Sequence, residues 1–317
     1  MTISPKPVPS RGTVLVTGAD LAAEALALLP DYRVVYAGKS PSEQDIVNMC
    51  RAHDPVAIIV RYGKVGAAAM DAAPSLRVIS KHGSGTDTID KDAARQRNVE
   101  VVAAVGANAA AVAEQALMLL LACAKSVIQL DARMHAGHWD KATHKSMELG
   151  GKTLGLIGLG AIGLRMAEMA AALRMRIIGH DPYAKQLPAY VEPVDLDTLW
   201  READAISLHC PLTEQNRGLV NASALAQCRR GVILVNTARG GLVDESALLA
   251  AVQSGQVMAA GLDSFAVEPM TPGHPFQGQR NIILSPHVGG VTSAAYVNMG
   301  VAAVNNLLAV LANSRTS

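Results

Sequence analysis

Arg239, Glu268 and His287 each stand at or just past the end of a short apolar run, "VILVNTA", "GLDSFAV" and "NIILSP". An arginine offers a planar fork of donors that stays charged at any working pH, which suits a carboxylate and a carbonyl oxygen beside it. A histidine exchanges protons near neutrality, and a glutamate next to it can hold the ring and stabilise the imidazolium. The three types together fit reduction of a 2-oxo acid: Arg239 polarises the substrate, His287 protonates it, and Glu268 stands behind His287. Each residue alone has a plainer reading, as a surface arginine, a loop carboxylate and a structural histidine. The joint placement carries the inference.

For these three to converge, their strands must share one parallel sheet, in which all C-terminal ends lie along the same edge. A fourth feature belongs to that edge. The stretch "TLGLIGLGAIGLRMAEMAAALRMRIIGHD", 153–181, runs strand, glycine turn, helix, strand and acid. Gly158, Gly160 and Gly163 have the spacing G-x-G-x-x-G, with Ala161 and Ile162 between the last two, and such a turn lets backbone approach a pyrophosphate at a helix N-terminus. Asp181 lies eighteen positions after Gly163, close to the roughly 20 usual for the carboxylate that takes the ribose hydroxyls of NAD and repels a 2'-phosphate. The expected cofactor is therefore NAD, supplying hydride to the 2-oxo acid.

Ahead of the glycine turn, strand and helix patterns already alternate from "TVLVTG" through "VEVVAAV", which predicts a parallel sheet of about five strands. A second series begins with a helical pattern at Asn108 and ends at "NIILSPH". After it comes one apolar helix, "AAYVNMGVAAVNNLLAVLAN", whose face needs a partner. The predicted architecture is α/β with two doubly wound parallel-sheet domains. A Rossmann NAD-binding domain, 106–290, is inserted into a flavodoxin-like substrate domain, 1–105, completed by 291–317. The crossings near Val105 and Gly290 would then serve as hinges over a cleft.

The net charge of +1 over 317 residues argues against a nucleic-acid surface and for small metabolites as partners. Cys50, Cys123, Cys210 and Cys228 form no C-x-x-C and no zinc spacing, so no metal is expected, and reduced thiols suit the cytoplasm. The opening "MTISPKPVPSRG" reads as a loose lead-in without a signal-peptide core. "AVAEQALMLLLACA" carries Glu114 and Gln115 and is too short to span a bilayer. No membrane partner is expected. That helix has more apolar surface than one domain's sheet should cover, which predicts a symmetric homodimer, with the following arm anchored by Trp139.

The chain resembles the D-isomer-specific 2-hydroxyacid dehydrogenases, in the branch of phosphoglycerate dehydrogenase and hydroxypyruvate or glyoxylate reductase. The resemblance is carried by "KHGSGTDTID", "GANAAAVAEQALMLLLA", "GKTLGLIGLGAIG", "LHCPLT", "NTARGGLVDESALLAAVQSGQVMAAGLDSFAVEP" and "SPHVGG". It implies the same catalytic set of Arg239, Glu268 and His287. It further implies that Asp263 contacts the nicotinamide carboxamide and that His209, Cys210, Pro211, Thr237 and Ala238 line the cofactor, with Gly289 of "SPHVGG" beside them. In "HGSG", the amides of Ser84 and Gly85 look like a cradle for the substrate carboxylate.

Lys81 stands where many relatives have arginine, Thr88 replaces a frequent asparagine, and "AAVGAN" lacks a common proline. These departures leave the substrate tail open, since Arg61 and Lys81 are the cations expected near it. A small D-2-hydroxy acid or its 2-oxo partner is the leading substrate class. Phosphoglycerate is the alternative, and an NAD-sensing, co-repressor-like binding protein is the alternative of another class. Formate oxidation is disfavoured because related enzymes pair the histidine with glutamine. With the sequence ending at Ser317, no C-terminal regulatory domain is expected.

Overall fold

The computed structural model describes residues 11–313, so most of the proline-bearing lead-in and the last four residues lie outside the described residues. The chain divides into two compact units, 1–108 with 291–317, and 109–290.

In the first unit, β1 (Thr13–Val16), α1 (Ala23–Leu26), β2 (Arg33–Tyr36), α2 (Glu43–His53), β3 (Ala57–Val60), α3 (Ala67–Asp71), β4 (Val78–Lys81), α4 (Lys91–Gln96) and β5 (Glu100–Ala103) alternate. The strands form one parallel sheet in the order β2-β1-β3-β4-β5. The central strand β3, "AIIV", is buried at every position, as a strand covered on both faces must be. Local sequence sets the helix starts. Ser42 and Asp45 exchange hydrogen bonds as a capping box on α2, and Asp90 caps α4. The pattern "LAAEALALL" predicts a longer α1 than the four residues observed. Pro30 and an uncapped start leave that segment with little to extend it.

The second unit opens with α5 (Ala109–Lys125) and α6 (Val127–His135) and continues through β6 (Thr153–Ile157), α7 (Ala161–Ala172), β7 (Arg176–His180) and β8 (Val191–Pro193). Then come α8 (Leu196–Glu202), β9 (Ala205–Leu208), α9 (Ala222–Gln227), β10 (Val232–Asn236), a 3-10 turn (Gly240–Leu242), α10 (Glu245–Gln253), β11 (Val257–Leu262) and β12 (Ile282–Leu284). The sheet order is β12-β11-β10-β9-β6-β7-β8, all parallel, with the topological reversal between β6 and β9. The edge strand β8 went unpredicted, because three residues ending in proline give almost no strand pattern.

The last helix, α11 (Ser293–Asn313), packs Ala303, Val304, Leu307 and Leu311 against Val14, Val16, Ile59 and Val78 of the first sheet. Two side-chain bonds fix its register: Ser80 Oγ donates to the Ala303 carbonyl at 2.8 Å, and Asn306 Nδ2 donates to the Ala103 carbonyl at 2.9 Å. By length and composition α11 could cross a membrane. Its apolar stripe is taken up by this sheet.

Most of the apolar surface of α5 is covered within its own unit, where Ala116, Leu119, Leu120, Cys123 and Ala124 pack with Leu154, Leu156, Ile233 and Val235, while Met118 stays 45% exposed. Further exposed apolar side chains follow on α6 and the segment after it, among them Val127, Ile128, Met134 and Trp139, the last 75% exposed.

Candidate active site

The glycine turn follows β6 directly, and each glycine answers a different demand. Gly158 has φ +96°, and a Cβ there would lie 2.6 Å from the Cys210 nitrogen. Gly163, in the first turn of α7, faces the Gly158 carbonyl so closely that a Cβ would lie 2.1 Å from its oxygen. Gly160 caps α7 in extended backbone, and a Cβ there would meet no protein atom within 4 Å. Gly158 therefore packs loop on loop and Gly163 helix on loop, while Gly160 leaves open space at a helix N-terminus. That space, beside the exposed Ala161 and half-buried Ile162, fits a phosphate group received by backbone amides. Asp181 follows β7; its Oδ2 accepts from the Leu159 amide at 2.8 Å and its Oδ1 from the Tyr183 amide at 2.8 Å. The acid is thereby held against the glycine turn.

On the other side of the reversal, β9 is followed by His209, Cys210 and Pro211. His209 Nε2 shares a hydrogen bond with Ser207 Oγ at 2.9 Å, its buried Nδ1 has no partner, and burial pushes the ring down to about 4. Burial likewise pushes the Cys210 thiol up to about 11. Asn216 ties this loop by donating to the Pro211 carbonyl at 2.8 Å. Past β10, Thr237 is buried with its Oγ1 unpartnered. Orphaned polar atoms on two strand ends beside the glycine turn fit a polar ligand such as a dinucleotide.

Asn236, the last residue of β10, was not singled out in the sequence. Its Oδ1 accepts from the Ala238 amide at 3.0 Å and its Nδ2 donates to the Arg239 carbonyl at 2.9 Å, so it shapes the turn that presents Arg239. Arg239 is half-buried, with Nη1 donating to the Ala238 carbonyl at 2.8 Å.

Glu268 and His287 meet. Oε2 of Glu268 lies 2.7 Å from Nδ1 of His287, and Oε1 accepts from the Phe265 amide at 2.9 Å. A carboxylate only accepts, so the pair places a proton on Nδ1 and leaves Nε2 for exchange. His287 sits at φ +53°, an uncommon region for a side-chain-bearing residue that must be held by its surroundings. Buried Asp263 holds it. Oδ1 accepts from Ser285 Oγ at 2.6 Å and the Val288 amide at 3.0 Å, and Oδ2 accepts from the Gly289 amide at 2.7 Å. Gln115 of α5 extends the network by donating to Ser285 Oγ at 3.1 Å. Asp263 was expected at the nicotinamide; its bonds give it the further task of clamping the histidine loop. Glu245, also missed, accepts from the Ala266 amide at 2.9 Å and braces the loop bearing Glu268. An acid at a helix start reads as an ordinary capping neighbour, which is why Glu245 did not stand out.

The remaining expected residues belong to the first unit, at the C-terminal edge of its sheet. Ser84 and Gly85 follow β4 on a turn opened by Gly83 at φ +135°, with Ser84 exposed. Arg61 follows β3, and its guanidinium pairs with the Asp20 carboxylate and donates to the Asp20 carbonyl at 2.6 Å. Lys81 Nζ donates to the Arg61 carbonyl at 3.1 Å.

The NAD binding domain of the D-isomer specific 2-hydroxyacid dehydrogenases matches residues 117–289, more than half of the chain. The chain belongs to the D-isomer specific 2-hydroxyacid dehydrogenase family. A hydroxypyruvate reductase of Thermotoga maritima is 40% identical over 286 residues, covering 90% of this chain and 94% of its own. A D-3-phosphoglycerate dehydrogenase of Archaeoglobus fulgidus is 40% identical over 249 residues, 77% of this chain, but this chain spans only 47% of that longer protein. The crystal structure of a glyoxylate reductase from Paecilomyes thermophila superimposes with a TM-score of 0.84 at 28% identity, covering 96% of each chain. This chain is thus an NAD-dependent 2-hydroxyacid dehydrogenase, an oxidoreductase built on two parallel α/β sheets.

Proposed function

We propose that the enzyme reduces a short, unphosphorylated 2-oxo acid of the hydroxypyruvate or glyoxylate type, with His287 as acid/base, Glu268 as its partner and Arg239 as the substrate-binding catalytic arginine. The observation that carries this reading is the Glu268–His287 contact at 2.7 Å, on a loop clamped by Asp263 at the same sheet edge as the glycine turn. Bound NAD supplies or accepts the hydride. The turn of Gly158, Gly160 and Gly163 with Ala161 and Ile162 would hold its phosphates, Asp181 its ribose, and His209, Cys210, Pro211, Thr237, Ala238, Asp263 and Gly289 the remainder.

In the reductive direction, Nε2–H of His287 gives its proton to the oxygen that gains charge, and Glu268 stabilises the imidazolium beforehand by accepting from Nδ1–H. In the oxidative direction, neutral Nε2 takes the hydroxyl proton. Arg239 binds the carboxylate with one part of its fork and lowers the energy of the developing charge with the other. We assign substrate binding to the first unit, with the amides of Ser84 and Gly85 receiving the carboxylate.

The phosphoglycerate reading has the support of the Archaeoglobus relative. Against it stands Arg61, whose charge is already met by Asp20. We further propose a homodimer formed through α5 and the following segment, α6 and the arm carrying Trp139, since Met118, Val127, Ile128, Met134 and Trp139 are exposed apolar side chains there. A cytoplasmic setting fits the four unpaired thiols, of which Cys50, Cys123 and Cys228 are buried.

The test is NADH oxidation with hydroxypyruvate, glyoxylate and 3-phosphohydroxypyruvate in parallel. Higher kcat/KM for the first two supports the proposal. Preference for the phosphorylated acid, or no turnover with any of them, overturns it.

A further inference from the structure

The edge of the first sheet carries a charge arrangement that the reaction does not use. Arg61 leaves β3 beside Gly18, where a Cβ would come within 3.0 Å of Arg61 Cδ and 3.3 Å of its Nη1. The missing side chain lets the arginine fold back across the end of β1. Its guanidinium then meets the Asp20 carboxylate, donates to the Asp20 carbonyl, and lies 5.4 Å from the Tyr62 ring and 4.9 Å from the Tyr296 ring. Tyr296 also donates its hydroxyl to Asp20 Oδ1 at 2.9 Å. The arginine side chain is only 12% exposed, whereas that of Asp20 is 69% exposed. The feature that solvent and solutes meet first is thus the anion.

This edge is where doubly wound sheets receive ligands, and it includes the Ser84–Gly85 turn after β4. His82, between Lys81 and that turn, is buried with its Nε2 unpartnered, so the edge holds a polar atom with capacity for a ligand or water. A substrate whose carboxylate sits on that turn extends its tail along the same edge. A neutral tail meets a cancelled charge pair there. A dianionic phosphomonoester meets an exposed carboxylate and an arginine whose charge is already paired with it through Nη1.

We infer that Asp20 is a specificity-determining residue: it cancels Arg61 and excludes 2-oxo and 2-hydroxy acids with an anionic tail. The inference deepens the functional reading above and rests on it. It also explains why Arg61 can stand at this edge without making the enzyme a phosphoester dehydrogenase. Asp20→Asn keeps the size of the side chain and an oxygen able to accept from Tyr296 and Arg61, while removing the negative charge.

The experiment measures kcat and KM for hydroxypyruvate and for 3-phosphohydroxypyruvate in wild type, Asp20→Asn and the double variant Asp20→Asn with Arg61→Met. Thermal melting and NADH binding are checked for each variant. The expected result is a rise of about tenfold or more in the efficiency ratio of phosphorylated over unphosphorylated substrate in Asp20→Asn, as removing a like charge near the ligand requires. The rise should lie in KM for the phosphorylated acid and vanish in the double variant. An unchanged ratio in a well-folded Asp20→Asn overturns the inference, as does a rise that survives loss of Arg61. A wild type that already prefers the phosphorylated acid overturns the functional reading itself, a result distinct from either.

Discussion

The glycine turn permits a prediction that separates folding from cofactor binding. At Gly163 an added methyl would lie 2.1 Å from the Gly158 oxygen and 3.1 Å from its carbonyl carbon, both rigid backbone. A carbon and an oxygen need roughly 3.3 Å without strain, so α7 must move by about 1 Å from the loop it packs on. Overpacking of that kind costs about 1–3 kcal/mol and sometimes more. At Gly160 the backbone is extended at φ −78° and the methyl meets nothing within 4 Å. Alanine is a poorer helix cap than glycine by about 0.5–1 kcal/mol, and it restricts the unfolded chain by a similar amount. The two effects nearly cancel.

Gly163→Ala should therefore melt below wild type by about 2–12 °C, since about 2–4 °C accompanies each kcal/mol in a domain of this size. Gly160→Ala should melt within about 3 °C of wild type by the same scale. Its defect should appear in NADH affinity. If the methyl occupies the space of a phosphate oxygen, one or two charge-assisted backbone bonds are lost, which corresponds to a Kd raised about tenfold to a hundredfold. Calorimetry and fluorescence titration with NADH read the two quantities independently. A Gly160→Ala enzyme with wild-type Kd refutes the placement of the phosphates, and a Gly163→Ala enzyme with wild-type melting refutes the packing argument.

Glu268→Gln should lower kcat about tenfold to a hundredfold with little change in melting, because the amide oxygen can still accept from Phe265 while the charge facing His287 is lost; a kcat within twofold of wild type would sink the pairing. Asp181→Ala should raise NADPH efficiency relative to NADH about tenfold or more, measured as a kcat/KM ratio, and it should also weaken NADH because the Leu159 amide loses its acceptor. Burial and the nearby Arg61 charge push His82 down to about 4 from its ordinary 6.5. The unfolded chain then takes up the proton first, so the contribution to stability is whole above pH 6.5 and is lost as pH falls toward 4, by about 3 kcal/mol at most. Urea unfolding at pH 7 and 4.5 should show a smaller acid loss in His82→Gln than in wild type, and equal losses would dismiss the argument.

The apolar runs and their punctuation made the strand ends legible, and with them the common edge on which Arg239, Glu268 and His287 lie. A parallel sheet converts sequence order into spatial position with few alternatives, so residues after β10, β11 and β12 could be grouped without coordinates. Side-chain pairings across long separations were not legible. Asp20 and Arg61 are 41 positions apart, and their contact depends on the gap at Gly18 and on Tyr296 arriving from the last helix. How much of α5 is covered within its own unit was not legible for a related reason. Hydrophobicity reports how much surface wants cover, whereas the supply of cover depends on how closely α7, β10 and β11 approach it.

Three strand ends of the second unit share one local device. Asp181 after β7 holds the Leu159 amide, Asn236 at the end of β10 holds the Ala238 amide, and Asp263 after β11 holds those of Val288 and Gly289. In each case a short acceptor at a strand terminus captures backbone of a functional turn, its own or that of the adjacent strand. A bond from backbone to a buried or half-buried acceptor is costly to break, since both partners would be left without water. The turns are therefore fixed before any ligand arrives, and His287 can be kept at φ +53° although isolated backbone would leave that conformation. Asp263→Asn supplies the decisive comparison, because an amide oxygen can replace only one of the two carboxylate oxygens as acceptor, and its NH2 group then confronts a backbone donor from Val288 or Gly289. The loop should relax and the histidine lose its aim. The expected signature is a fall in kcat of about tenfold or more, on the scale of a misplaced catalytic group, while NADH affinity measured by fluorescence falls less than kcat. Should kcat hold within twofold in a folded Asp263→Asn enzyme, the clamp is not what positions His287.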